Sequence, residues 1–433
     1  MKRTIRLIIL VLVIGLIFLS SGVYAIDIGI TGSWSETIDK GDLAQGAGSD
    51  LRATYESSSA AVSITISGTT GRTDAWRVKV RRQDSVWNAN STLFVKRTGD
   101  GQGPGEISGG QAYQAITASN TELFTGIGDR AGIPLQFRLD GVSLKAAPPG
   151  AHSTTIIYTV EDIRGQNLWC LSLYIVIMAV LHTNPLSAQV LVVGGLTRDA
   201  TVQPGGKTEG KIILRNTSDK SQEVRLYQTD YLFWADGRTD YGEPGKSPRT
   251  NARWISHTPK QLTLAPNGTD PVYYTIEVPK EDNLSGTYWS MLMVEPISAE
   301  TIEPPKRKDR PSIGIRTVSR YAIQIVTHIG DTGKREIKFL DKTVIIEKGK
   351  KTLQLDIENT GERWLIPAVW AELYDEKGVS IGRFDGGRLR IYPQCSVRYR
   401  IDLSNVPPGK YKAVIVADNG DEYIFGAQYD LKF

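Results

Sequence analysis

Residues 313–329, IGIRTVSRYAIQIVTHI, form the stretch of sequence that most strongly constrains the fold. Large apolar side chains fall at its odd positions, whereas the even positions are mainly polar, with Val318 and Val326 as exceptions. Because successive side chains of a strand point to opposite faces, this alternation predicts one long β-strand with a hydrophobic ridge. The ridge consists of Ile313, Ile315, Tyr321, Ile323, Ile325 and Ile329.

The sequence on both sides of this strand carries an all-β pattern. Short alternating runs end in turn-forming residues, as at Asn216-Thr217-Ser218 and Asn359-Thr360-Gly361. We therefore predict an all-β chain of tandem immunoglobulin-like β-sandwiches. One such domain is expected in residues 189–330 and a second in residues 331–433.

Residues 190–300 contain short motifs in a characteristic order. A strand ends in Asn-Thr-Ser, and RWI (253–255), LTLAP (262–266), IEVP (276–279) and SGTY (285–288) follow. This order resembles the immunoglobulin-like domain of PapD-like periplasmic fimbrial chaperones. It is equally similar to the related domain of cell-surface proteins that interact with WxL proteins.

The resemblance implies a role for the ridge strand. In PapD-like chaperones a long strand beside a long loop is lent to a protein subunit that lacks a strand. The ridge would then bind a subunit, and the basic stretch 304–311 would be the neighbouring loop. The family also anchors the subunit's terminal carboxylate with basic residues, and Arg198 and Arg320 lie in suitable regions. The alternative is that the ridge packs only into the core of its own domain.

Residues 26–163 form a separate all-β unit. Val78 and Val80 alternate with Arg77, Lys79 and Arg81, which predicts half-buried antiparallel strands of a small β-sandwich. Similar alternation recurs at residues 62–66, 135–139 and 156–160. The unit resembles a secreted pilin-like or spore-coat-like subunit.

The N-terminus has the three parts of a secretory signal peptide. Lys2, Arg3 and Arg6 precede an apolar run at 7–19, and Val23-Tyr24-Ala25 is a small-residue cleavage pattern. We predict a signal peptide at 1–25 and export of the rest of the chain. An N-terminal membrane anchor is the alternative, although the run is shorter than the roughly 20 residues needed to span a bilayer.

A second apolar segment divides the chain. Residues 168–181, LWCLSLYIVIMAVL, carry no charge, and they lie within a hydrophobic segment at 164–188 that ends in Leu186-Ser187-Ala188. Three interpretations remain: a buried core element, a transmembrane anchor, or a second signal-like segment between two joined exported proteins.

Composition and motifs argue against an enzyme. The chain has 2 cysteines, 4 histidines and a net charge of +4, and it contains neither an HExxH nor a GxSxG motif. We predict no catalytic residues, no metal site and no cofactor. A nucleic-acid partner is not expected either, because dedicated nucleic-acid binders carry a strong basic excess.

Two functional hypotheses follow. The first is a non-enzymatic exported assembly protein, in which a pilus or surface-subunit-like domain is joined to a chaperone-like module acting by donor-strand complementation. Its partners would be subunits of a surface polymer or its own N-terminal domain, in the periplasm or at the cell surface. The alternative is a cell-surface adhesion or wall-binding protein, anchored in the membrane through residues 168–181. A glycan hydrolase on a β-scaffold would need two convergent carboxylates, which no motif marks.

Overall fold

The computed structural model describes most of residues 26–433, and the described part consists almost entirely of β-strands, which confirms the all-β prediction. The predicted signal peptide, the apolar segment 164–188 and the basic stretch 304–311 lie outside the described residues. Within the described part, no helix is long and apolar enough to cross a membrane. The gaps in the description are residues 39, 46–48, 70–73, 88–89, 144–150, 164–189, 298–311 and 348.

The first unit is a sandwich of two sheets. Its strands are β1 (Asp27–Gly32), β2 (Trp34–Thr37), β3 (Thr54–Glu56), β4 (Val62–Ser67), β5 (Ala75–Val86), β6 (Thr92–Arg97), β7 (Glu106–Ser108), β8 (Gln114–Ala115), β9 (Thr121–Ile127), β10 (Arg130–Asp140) and β11 (Ala151–Asp162). One sheet has the order β1-β4-β10-β6-β8, with β3 beside β10, and the other contains β11-β5-β9-β7. The alternating residues Ile64, Val78 and Val80 are fully buried between them.

The second unit is built from two further sheets. Its strands are β12 (Val190–Val193), β13 (Thr197–Val202), β14 (Lys207–Asn216), β15 (Gln222–Thr229), β16 (Leu232–Phe233), β17 (Thr239–Asp240), β18 (Ile255–Thr258), β19 (Gln261–Leu264), β20 (Thr269–Glu277), β21 (Gly286–Ile297) and β22 (Ser312–Ile329). One sheet has the order β12-β14-β20-β18. The other begins β19-β15-β21-β22 and continues from β22 into β11 of the first unit. β16 and β17 form a separate small hairpin.

The third unit is a second immunoglobulin-like sandwich. Its strands are β23 (Ile337–Glu347), β24 (Lys350–Asn359), β25 (Ala368–Tyr374), β26 (Ser380–Arg388), β27 (Ser396–Asp402), β28 (Lys410–Asp418) and β29 (Ile424–Lys432). The sheets β23-β24-β27 and β26-β25-β28-β29 enclose a core that contains Leu355, Ala371 and Ile415. Residues 419–423 join β28 to β29 as an antiparallel hairpin.

Two buried asparagines form side-chain hydrogen bonds at corresponding positions of the second and third units. Asn216 Nδ2 donates to the carbonyl oxygens of Lys220 (2.7 Å) and Ala265 (2.9 Å). Asn359 Nδ2 likewise donates to the carbonyl oxygens of Arg363 (2.8 Å) and Ile391 (2.9 Å). Both side chains are fully buried. The asparagines of the Asn-Thr-Ser and Asn-Thr-Gly motifs therefore connect separate backbone segments by hydrogen bonds, in addition to their role in turns.

We expect Asn359→Ala to destabilise the third unit by about 2 kcal/mol, because it removes the hydrogen bonds that the side chain donates to the carbonyl oxygens of Arg363 and Ile391 and the one that it accepts from the Gly361 N–H. Urea unfolding followed by tryptophan fluorescence measures this change. The neighbouring Thr360 is exposed, so Thr360→Ala is the matched control and should change stability by less than about 0.5 kcal/mol. Equal effects of the two substitutions would contradict the role given to Asn359.

Candidate functional site

The strand β22 belongs to two sandwiches at once. Its first part pairs in parallel with β11, from Ala151 opposite Ser312 to Val160 opposite Tyr321. On its other edge the same part pairs antiparallel with β2, where Trp34 lies opposite Ile315. The first unit therefore receives a strand that lies far away in the sequence.

The second part of β22 completes the second unit. It pairs antiparallel with β21, from Tyr321 opposite Val294 to Ile329 opposite Gly286. Its other edge pairs in parallel with β13, beginning where Gln324 lies opposite Thr197. At about 3.3 Å per residue, the 18 residues of β22 extend over roughly 60 Å, which is enough to cross both units.

The first unit has no strand of its own, among its described residues, at the edge of β11 that β22 occupies. β11 is paired with β5 on one edge and with β22 on the other. Without β22, β11 would present an open edge of unpaired N–H and C=O groups, and such edges readily pair with other chains. Residues 312–321 thus fill a gap in the first sandwich.

The hydrophobic ridge is buried where its side chains are described. Tyr321, Ile323, Ile325 and Ile329 are at most 1% exposed, and they join one apolar cluster that also contains Ile28 and Val160 of the first unit. The side chains of Ile313 and Ile315 lie outside the described set, although the backbone at both positions is paired with β11 and β2.

The other face of β22 is mainly polar, in line with the sequence pattern, but it is buried. Ala322 and Val326, the latter one of the expected exceptions, belong to the apolar cluster of the third unit. Arg320, Gln324 and His328 on this face are at most 4% exposed. The third unit and the segment after β15 cover this face, so both faces of β22 are buried from Arg320 to Ile329.

Tyr321 links the ridge to the beginning of the first unit. Its hydroxyl donates a hydrogen bond to Asp27 Oδ1 at 2.6 Å. Burial raises the pKa of the Asp27 carboxyl, and burial also raises the pKa of Tyr321, with a further contribution from the nearby Asp27 charge. The phenol therefore stays protonated and acts as the donor.

Arg320 lies at the boundary between the first and second units. Its guanidinium donates to Thr159 Oγ1 (3.2 Å), Asn120 Oδ1 (3.1 Å) and the hydroxyl of Tyr227 (2.9 Å). Glu295 provides a carboxylate oxygen 3.8 Å from the same guanidinium. Arg320 thus bridges side chains of both units.

Arg198 occupies a different place from Arg320. It lies opposite Ile325 in the pairing of β13 with β22, five residues along the strand from Arg320. Its guanidinium donates to the carbonyl oxygens of Gly195 and Thr197, which are close to it in the sequence. Burial lowers the pKa of Arg198. The two arginines proposed from the sequence therefore do not converge on one group.

Residues that the sequence did not single out hold the end of β11. Gln324 Nε2 donates to the carbonyl oxygen of Asp162 at 2.6 Å, and the backbone N–H of Arg390 donates to that of Ile163 at 3.1 Å. The guanidinium of Arg390 and the hydroxyl of Tyr392 both donate to Gln324 Oε1. Residues of all three units contact each other here. In the sequence, the polar residue at position 324 of the ridge strand was the only signal of this contact.

The described residues contain no group of three or more His, Cys, Asp or Glu side chains arranged to hold a metal ion. Cys395 is buried and not in a disulfide, and burial raises the pKa of its thiol to about 12. A thiol in this state is a poor nucleophile.

No family model matches the chain, and no curated protein matches it significantly. Several solved structures are similar to part of the chain. The class 5 fimbriae chaperone CfaA is 12% identical, with 56% of this chain and 98% of that chain covered and a TM-score of 0.31. The CupB2 chaperone of Pseudomonas aeruginosa is 14% identical, with coverages of 54% and 96% and a TM-score of 0.25.

A chain from a chaperone–tip adhesin complex of CFA/I fimbriae is 13% identical, with coverages of 56% and 98% and a TM-score of 0.33. Similarity at this level concerns the fold alone.

Proposed function

We propose that this chain is a non-enzymatic exported assembly protein, in which residues 189–433 act as a chaperone for the subunit-like unit at 26–163. The chaperone action is the donation of residues 312–321 of β22 to the open edge of the first sandwich. The observation that carries the proposal is the position of this segment between β2 and β11, while the rest of β22 completes its own sandwich. A subunit of the same design, supplied by a surface polymer, would bind in the same way.

Main-chain pairing explains why such a donation stabilises the subunit. Ten consecutive residues of β11 pair with β22, which satisfies N–H and C=O groups that otherwise face solvent or another chain. Each backbone hydrogen bond contributes roughly 1 kcal/mol net, so the paired segment is a substantial part of the stability of the first unit.

The end of β11 is proposed as the second point of attachment. Gln324 and Arg390 hold the backbone of Asp162 and Ile163 between the second and third units. Arg390 and Gln324 contact the backbone at the end of β11, whereas Arg198 is bonded to the carbonyl oxygens of Gly195 and Thr197 and Arg320 to side chains.

A cleavable linker tests this function. Residues 166–186 of the full chain would be replaced by a polar linker that contains a site for a specific protease. After cleavage we expect the two fragments to co-elute in size-exclusion chromatography at a 1:1 ratio. A fragment 26–163 that separates and stays folded and monomeric would contradict the proposal, because it would then need no donated strand.

The alternative function, a membrane-anchored adhesion protein, depends on residues 168–181, which lie outside the described residues.

A further inference from the structure

A buried charged pair lies on the outer face of the first unit. Lys79 on β5 and Glu161 on β11 are both 0% exposed, and Lys79 Nζ lies 2.9 Å from Glu161 Oε1. Neither side chain points into the core of its own sandwich, since the alternating residues Val78 and Val160 do so. The pair is buried because another part of the molecule covers it.

The cover is the polar insertion between β15 and β18 of the second unit. Tyr231 donates its hydroxyl to Glu161 Oε2 at 2.9 Å, and Lys79 Nζ donates to Thr239 Oγ1 at 2.5 Å. The rings of Tyr231 and Tyr241 lie 5.2 and 5.3 Å from Lys79 Nζ, within the range of cation–π attraction. We name these five residues (Lys79, Glu161, Tyr231, Thr239 and Tyr241) the junction cluster.

A neighbouring ion pair extends the charged surface of the first unit. Arg77 Nε lies 2.8 Å from Glu122 Oε2, and the Arg77 guanidinium is 3.8 Å from Glu161. The Arg77 guanidinium also lies 5.8 Å from the centre of the ring of Phe233, which belongs to the insertion. The insertion therefore contacts a strip of charges on β5, β9 and β11.

Because this contact is buried, its charged groups need their partners in place. Desolvation lowers the pKa of Lys79 to about 8, partly opposed by the nearby Glu161 carboxylate. A buried charge is tolerated only when its partners are in place, and loss of one partner leaves the other uncompensated. A first unit without this pair would leave the Tyr231 hydroxyl buried without its acceptor.

The junction cluster and the strand pairing differ in what they recognise. The pairing of β22 with β11 uses main-chain groups, which nearly every sequence provides. The junction cluster uses side chains that must be present at one register on two adjacent strands. It therefore has the chemistry for discrimination that the strand pairing lacks.

We propose that the junction cluster is a specificity-determining site of the chaperone-like part. It selects subunits that carry a lysine and a glutamate on the outward faces of the two strands next to the open edge. This inference rests on the proposed function, because it assumes that residues 189–433 bind a subunit-like unit.

The test uses the cleavable full chain described above. After cleavage, the dissociation rate of the two fragments is measured by size-exclusion time courses in a fixed low concentration of urea. We expect Glu161→Gln to speed dissociation by about 100-fold, because it weakens a buried charged pair, and Tyr231→Phe by about 10-fold. Because Glu161 and Tyr231 contact each other across the boundary, the double variant should dissociate more slowly than the product of the two single effects predicts.

The control is Asp140→Asn, which breaks the partly exposed pair that Arg138 and Asp140 form at 3.0 Å on the other sheet of the first unit. It should leave the dissociation rate unchanged. If the unsubstituted fragments fall apart on cleavage, strand donation itself fails. If they stay together and the junction variants dissociate at the unsubstituted rate, or if the two effects simply multiply, only the recognition site is overturned.

Discussion

Replacing Arg316 and Thr317 together by proline is expected to detach the first unit from β22. The two residues lie opposite Thr155 and Ile156 in the parallel pairing with β11. Adjacent N–H groups of a strand point to opposite edges, so the two prolines remove one donor from each edge of β22. Proline inside a central strand also conflicts with the backbone of the ladder, and the pair should cost more than about 3 kcal/mol.

Hydrogen exchange with mass spectrometry on the full chain measures the result. We expect the β11 amides that point toward β22 to lose protection by at least 100-fold, because their partner strand is lost, whereas the β24 amides in the third unit keep theirs. The control is Arg316→Ser with Thr317→Ser, which retains both N–H groups and should keep β11 protected. Unchanged protection of β11 in the proline variant would show that the first unit is complete without β22.

Acidification is expected to destabilise the protein through His328. Its ring lies 4.7 Å from that of Trp364, and its Nδ1 is 3.0 Å from Thr287 Oγ1. Burial, with the nearby positive charges of Arg363 and Arg390, lowers the pKa of His328 to about 3, against roughly 6.5 in an unfolded chain. Below pH 6.5 the unfolded chain therefore binds a proton that the folded chain does not.

Stability is unaffected by this group above about pH 6.5 and falls as the pH drops toward 3, by about 1.4 kcal/mol per pH unit. When the pH is lowered from 6.5 to 4, the free energy of unfolding of the His328→Gln variant should fall by about 3 kcal/mol less than that of the natural protein, as measured by urea unfolding. The same measurement at pH 8, where both side chains are neutral, gives the packing cost of the substitution. Parallel losses in the two proteins would exclude His328 as the source.

Much of the fold was predictable because it follows from period-two alternation. The ridge at 313–329 corresponds closely to β22 at Ser312–Ile329, and the alternation around Val78 and Val80 lies within β5. Alternation tells which face of a strand is apolar, but it contains no information on which strands lie along the two edges. The alternation therefore could not predict that β22 is divided between two sandwiches.

The junction cluster was not predictable for a related reason. Lys79 alternates with apolar residues, as it would on a solvated face, and the sequence offers no sign that another unit covers it. Arg198 and Arg320 were selected by position in a resemblance, whereas the contacts with the end of β11 come from Gln324 and Arg390. Such contacts depend on how the units pack together.

The shared strand also determines when the first unit can finish folding. Asp162 is the last residue of β11, and the first residue of β22, Ser312, follows 150 positions later. At a synthesis rate of about 5–20 residues per second, roughly 8–30 seconds pass between them. During that time the edge of β11 has no partner, which makes this the interval in which a nascent chain is most exposed to aggregation. In this chain order the strand that pairs with β11 lies on the same chain but is synthesised late.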